Sequence, residues 1–190
     1  MTETIETREF ETGRLEIRHD DCHDDPRDWC NSSKISLFHR DYLFPKEHGI
    51  DCPEELADKV KSMDGVVRRV RLYEHSEIAL SLVGEERPGM ACPWDSGIAG
   101  IISIDRATME REGWDEDRAL EVMRSELSIY EQYAQGRVYY AVYHNYLNDE
   151  VDSIGGLMGD DMDTMIDNAI DHLCPQHLEE VAGRLAGARR

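Results

Sequence analysis

The chain has 190 residues, with 21 Lys and Arg against 41 Asp and Glu, and a formal net charge of −20. Such a surface repels phosphate and anionic lipid, so neither direct nucleic-acid binding nor docking on an anionic membrane is expected. No run of about 18 apolar residues occurs, which removes the expectation of a membrane span.

The N-terminus, Met1-Thr2-Glu3-Thr4-Ile5-Glu6-Thr7, has neither the basic start nor the apolar stretch of a secretory signal. The five cysteines (Cys22, Cys30, Cys52, Cys92, Cys174) are odd in number and scattered. They fit a reducing cytosol better than a disulfide framework, and a cytoplasmic location is expected. The length predicts a core domain over 1–156 with an acidic N-terminal arm, and a helical extension over 157–190 packed on the same domain.

Taken in order, residues 1–11 read as a frayed acidic arm. Residues 13–19 read as a strand, because Leu15 and Ile17 alternate with charged residues. The acidic stretch 20–33 is a predicted loop and 34–38 a short strand. Asp51-Cys52-Pro53 starts a helix whose apolar stripe is Leu56, Val60 and Met63, ended by Gly65. Residues 66–73 and 77–83 predict an antiparallel hairpin turning near His75-Ser76. After a Gly/Pro loop, 97–104 is a third strand, whose Gly97 and Gly100 mark a bulge or a close backbone approach.

Asp105 caps a short helix to Glu112, and Gly113 ends it. A long helix follows from an Asp115 N-cap to about Gln135, with Leu120, Met123, Leu127, Tyr130 and Ala134 on its apolar face. Residues 137–146 form an aromatic strand, 151–154 a last strand, and two helices over roughly 160–173 and 175–185 finish the chain. Short turns between successive strands predict an α+β fold, a mainly antiparallel sheet with helices packed on one face and two C-terminal helices.

Three strings stand out: Pro26-Arg27-Asp28-Trp29-Cys30-Asn31, Tyr73-Glu74-His75-Ser76 and Cys92-Pro93-Trp94-Asp95-Ser96-Gly97. With the later Tyr130-Glu131-Gln132-Tyr133 and Glu150-Val151-Asp152-Ser153, they resemble a family of small uncharacterised proteins encoded by phages and other mobile elements. The resemblance covers about residues 24–156. Cys30 stands where that family usually has an acidic residue, and Glu77 where it usually has glycine. The resemblance implies a viral or mobile-element origin and carries over no catalytic residue.

Three constellations bear on function. The loop 20–28 holds Cys22, His23 and several Asp, but lacks the ligand spacing of a zinc site and the alternation of a calcium loop. It reads as an exposed acidic loop anchored by Trp29, and neither a metal nor a cofactor is expected. Glu74, His75, Trp94, Asp95 and Ser96 come together if the strands bearing them are neighbours, which would make a small hydrolase or nucleotide-handling site. The Gly-x-Ser-x-Gly elbow is missing, however, and Trp94 as a core residue with Asp95 or Ser96 closing a turn is the simpler reading. No catalytic residue is assigned.

The third constellation is acidic. Between Arg137 and Arg184 there is no Lys or Arg, while Asp149, Glu150 and Asp152 precede a helix on which Asp160, Asp163, Asp167 and Asp171 share one face. Met162, Met165, Ile166, Ala169, Ile170 and Leu173 share the other. The stripe would run roughly 16 Å, against phosphates about 3.4 Å apart along the axis of one DNA strand. These seven acidic residues are the expected contact surface for the basic face of a host nucleic-acid-binding protein. The expected role is that of a non-enzymatic DNA mimic of the anti-restriction or anti-CRISPR type. A salt-adapted acidic domain without mimicry gives the same composition.

Overall fold

Period-2 alternation and well-placed caps define the elements in a computed structural model. It describes residues 3–10, 13–37, 58, 60–75, 77–88, 90, 92, 94–145, 147, 149–159 and 161–172. In chain order these are β1 (Thr4–Phe10), β2 (Gly13–His19), a 3₁₀ turn (Pro26–Asp28), β3 (Lys34–Leu37), β4 (Gly65–Glu74), β5 (Ile78–Leu82) and β6 (Ser96–Asp105). Then come α1 (Arg106–Glu112), α2 (Glu116–Ala134), β7 (Tyr139–Asn145), β8 (Glu150–Leu157) and α3 (Met162–His172). The fold is α+β with antiparallel pairing throughout. The expected helix from 51 lies mostly outside the described residues, though 58 and 60–62 are helical. The expected helix over 175–185 lies wholly outside them.

The strands form two four-stranded sheets rather than the single one expected, in the orders β1-β2-β7-β8 and β3-β6-β4-β5. Contacts divide the chain into two units, Asp25–Gln135 and the flanking Met1–Asp24 with Gly136–Arg190. The expected boundary after 156 falls inside the flanking unit. Residues 4–10, expected to fray, instead form β1 and pair with β2.

In the 25–135 unit, the predicted hairpin is β4 with β5, Leu72 facing Leu80. The inner strands are β4 and β6, and β5 is an edge. Ile78, Leu80, Leu82, Val70, Leu72, Ile102 and Ile104 pack against Ala119, Met123, Leu127 and Tyr130 of α2. On the other side Val60 and Met63 pack on Ile101, Val67 and Ile98. Gly100 allows β3 to approach β6, since a Cβ there would lie 2.0 Å from the Ser36 carbonyl oxygen. The helix ends follow the sequence. Asp105 accepts from the Thr108 N–H at 2.7 Å and Asp115 from the Arg118 N–H at 2.9 Å. Gly113 takes the left-handed φ of 69° that closes α1.

An edge strand presents unpaired backbone groups. On β5 these are met by α2 and the loop after β5. The Glu131 carboxylate accepts from the Leu80 N–H, Gln135 donates to the Ile78 carbonyl at 2.5 Å, and Arg87 bridges Glu131 and the Leu80 carbonyl. A charged residue is therefore buried on the inner face of α2 as a substitute for a neighbouring strand.

In the flanking unit, Leu15 and Ile17 of β2, Ala141 and Tyr143 of β7 and Leu157 of β8 face Ile166, Ala169 and Ile170 of α3. The opposite face of β2 carries Arg14, Glu16 and Arg18 in register with His144, Val142 and Tyr140 of β7.

The edge cover gives a direct test. Glu131→Ala leaves the buried Leu80 N–H without an acceptor and is expected to lower stability by about 2 kcal/mol. Glu131→Gln, which keeps an acceptor oxygen, should fall between variant and wild type. Glu121→Ala should shift nothing measurable, because Glu121 only pairs with Arg118 on the exposed face. Urea denaturation of the three variants reads this out, and an unchanged midpoint for Glu131→Ala would refute the capping role.

Candidate functional site

The acidic helix forms where its periodicity places it. Asp161 caps α3 by accepting from the Thr164 N–H at 2.8 Å and the Thr164 hydroxyl at 2.7 Å, and these bonds hold its carboxyl below the usual range. Met165, Ile166, Ala169 and Ile170 are buried, which fixes the helix on the sheet. Asp163, Asp167 and Asp171 are all exposed. Asp160 lies outside the described residues. The stripe has one cation that sequence spacing could not show. Arg8, brought alongside by β1, pairs with Asp163 and with Glu6.

The three earlier carboxylates sit on the β7–β8 hairpin. Asp149 is at its exposed tip, where its N–H donates to Asn145 Oδ1 at 3.0 Å. A register shift between Tyr143 and His144 sets Glu150 opposite His144 and Asp152 opposite Tyr143. Cross-strand partners share a face, so Glu150 and Asp152 belong to different faces. The stripe is a helical feature, and the strand carboxylates do not simply extend it.

The second constellation does converge. Pairing of β4 with β6 puts Tyr73 opposite Ser96, and the Glu74 N–H donates to the Asp95 carbonyl at 2.7 Å. His75 Nδ1 is 3.9 Å from Asp95 Oδ2, with the two side chains 71% and 35% exposed. The Ser96 hydroxyl donates to the Cys92 carbonyl at 2.7 Å and accepts from Arg71 at 3.4 Å, so it closes a turn. Trp94 overturns its expected place in the core, since it is 91% exposed. The loop backbone is held by Asp95 and Ser96, and nothing in that arrangement draws the indole inward.

The acidic loop after β2 is structural as well. Asp20 accepts from the N–H groups of Cys22 and Gly156, each at 3.0 Å. Trp29 is 41% exposed. Cys22, Cys30 and Cys92 are free thiols. Among the described residues no group of three or more His, Cys, Asp and Glu could hold a metal.

Two of the strings distinctive in the sequence meet in space. Arg27 lies over the Tyr130 ring at 4.7 Å and pairs with Asp25, whose side chain also caps the 3₁₀ turn through the Arg27 N–H at 2.9 Å. Burial raises the Tyr130 phenol well above its ordinary range, against the opposing pull of Arg27. Glu126 accepts from the N–H groups of Ser32 and Ser33, both at 2.9 Å, tying the next stretch to α2. A cleft of about 220 Å³ between β5, the following loop and α2 is lined by Arg87, Arg124, Leu127 and Glu131. Its guanidiniums are matched by Glu131 and Glu85, at 2.5 and 2.7 Å.

One charged cluster escaped the sequence reading. Glu16 is 7% exposed and bound by Arg14 at 2.6 Å, by Arg18 and by the Thr4 hydroxyl at 3.3 Å. His144 Nε2 lies 3.7 Å away, and Arg18 also reaches the Tyr140 hydroxyl at 3.4 Å. The signal was the Arg-x-Glu-x-Arg alternation on β2, which also fits a solvated face. Burial pushes the Glu16 carboxyl up, but the hydrogen bonds and charges of Arg14 and Arg18 outweigh it and bring it to about 2.

Comparison with protein-family models, curated proteins and solved structures finds no match.

The Glu16 pairing predicts an acid-side stability change. A carboxyl lowered in the fold, from 4.5 to about 2, stabilises above the unfolded value and loses that contribution as pH falls through the folded one. The difference in unfolding free energy between wild type and Glu16→Gln should be constant above pH about 5.5, and shrink by up to about 3 kcal/mol between there and pH about 2. Urea denaturation across that range measures it. A pH-independent difference would show that Glu16 is not held by its arginines.

Proposed function

We propose that this chain is a non-enzymatic acidic interaction protein of phage or mobile-element origin. Through the outward carboxylates of α3 it binds the basic surface of a host nucleic-acid-binding protein by DNA mimicry, in the setting of counter-defence against restriction or CRISPR-type complexes. The observation that carries the reading is that α3 buries one face and exposes Asp163, Asp167 and Asp171 on the other. Among the described residues neither Asp167 nor Asp171 forms an ion pair, and the segment supplies no Lys or Arg of its own. Carboxylates four residues apart rise about 6 Å along a helix, of the order of the phosphate spacing. Like charges at this spacing weaken a helix slightly, so their retention without interleaved lysines is a feature to explain.

A second reading has one observation behind it, the approach of His75 to Asp95. It would make the β4–β6 end a small hydrolase or nucleotide-handling site. Ser96 gives it no support as nucleophile, because its proton goes to the Cys92 carbonyl. Ester or nucleotide turnover by wild type, abolished in His75→Ala, would establish that reading in place of the first.

The test begins with the partner captured from host lysate and continues with quantitative binding. Affinity should fall steeply with salt, because the screening length shortens from about 10 Å at 0.1 M to about 3 Å at 1 M, and duplex DNA should compete. Asp163→Asn, Asp167→Asn and Asp171→Asn combined should weaken binding at least about tenfold through lost charge complementarity. Its melting temperature should stay close to wild type, the Arg8–Asp163 pair being an exposed one. A complex indifferent to salt, or a triple variant that binds as wild type, would leave the stripe as a solvated face of a salt-adapted domain.

A further inference from the structure

We infer that the loop carrying Trp94 is a docking point for arginine side chains of a basic protein partner. The inference rests on the reading that the partner is basic, but it concerns the 25–135 unit and not α3.

Tryptophan is highly buried on average, yet Trp94 is 91% exposed. Asp95 and Ser96, which follow it, and Cys92 are tied by hydrogen bonds. Asp95 accepts from the Glu74 N–H at 2.7 Å, Ser96 donates to the Cys92 carbonyl at 2.7 Å, and Arg71 donates to Ser96 at 3.4 Å. These bonds tie the loop to the paired ends of β4 and β6, the inner strands of their sheet. An indole presented next to residues tied to the sheet has less backbone freedom to lose on binding, which favours an efficient contact residue. Tryptophan is also among the residues most enriched at such points.

The surroundings select the ligand chemistry. His75 is exposed beside Asp95, and its ring lies 6.4 Å from that of Tyr73. Glu74 and Glu77 flank His75 in the chain. Aromatic faces next to carboxylates suit a guanidinium, which stacks on the ring and pairs with the acid. The chain already contains this arrangement internally, where Arg27 lies over Tyr130 at 4.7 Å while paired with Asp25. At the Trp94 loop an exposed indole is followed in the chain by a partly exposed carboxylate, Asp95. Nucleic-acid bases also stack on tryptophan, but their phosphates would meet Asp95, Glu74, Glu77 and a net charge of −20.

The test is fluorescence anisotropy with a labelled synthetic Arg-Gly repeat peptide at low salt. Wild type should bind. Trp94→Ala should bind about tenfold more weakly with an unchanged melting temperature, and Asp95→Asn should weaken binding too. Trp94→Phe, which keeps a ring face, should retain most of the affinity. Trp94→Leu, which keeps apolar area without a ring, should resemble Trp94→Ala. Wild-type affinity in Trp94→Ala or in Trp94→Leu overturns the inference, as does a large fall in the melting temperature of Trp94→Ala or displacement of the peptide by single-stranded DNA bound at the loop. If the triple Asp163/Asp167/Asp171 variant loses the peptide while Trp94→Ala does not, this inference fails and the proposed function survives. If wild type does not bind the peptide, this inference fails, while the proposed function is decided separately by the salt dependence and the triple variant with the captured partner.

Discussion

The approach of β3 to β6 at Gly100 is the constraint on which the 25–135 unit depends. A side chain there would collide with the Ser36 carbonyl, so β6 can lie between β3 and β4 only with glycine at this position. Once β6 is central, the register shift between Val70 and Arg71 brings Leu72 opposite Gly97 and Tyr73 opposite Ser96. That register places Glu74 on the Asp95 carbonyl and sets His75 beside the Asp95 carboxylate. The approach of His75 to Asp95 is thus a consequence of strand pairing. At the other margin of the same sheet, β5 pairs with β4 on one side, and on its outer side, among the described residues, α2 supplies Glu131 and Gln135 in place of a further strand.

Local features were legible in the sequence because their causes are local. The caps Asp105 and Asp115, the left-handed Gly113 and the apolar face of α3 each follow from residues within one or two turns. The split into two sheets was not legible. Alternation tells which residues of a strand share a face, not which strand lies alongside, and β2 pairs with β7 more than a hundred residues later. Residues 4–10 looked like an arm because Thr4-Ile5-Glu6-Thr7-Arg8-Glu9-Phe10 has little apolar content. Its partner β2 makes it a strand, and Arg8 then reaches Asp163.

Trp94, expected in the core, is exposed, and Glu16, which the sequence did not single out, is buried. An indole usually belongs inside and a carboxylate outside. Here the turn closed by Ser96 leaves the indole in solvent, while flanking Arg14 and Arg18 let a carboxylate be buried. Both departures depend on side-chain partners chosen by register, which composition does not contain. In the case of Glu16 those same partners hold the acid-side stability.

The distribution of cations bears on whether the acidity is diffuse or placed. Arginines of the 25–135 unit are matched to particular carboxylates: Arg27 to Asp25, Arg71 to Glu86, Arg87 to Glu131 and Arg124 to Glu85. In the flanking unit Arg14 and Arg18 are both engaged by Glu16. Some of these pairs are part of the scaffold, as at Asp25, Glu131 and Glu16, while other pairs, such as Arg106–Asp64 and Arg118–Glu121, are exposed surface pairs. On α3 the scaffold is apolar, and among the described residues the carboxylates opposite it are matched at Asp163 alone, by Arg8 of β1. A surface acidified uniformly for salt would gain nothing from this segregation. A carboxylate already paired must first be released before it can meet another cation, at the cost of the interaction it leaves. Among the described residues, Asp167 and Asp171 are the α3 carboxylates left without an ion pair.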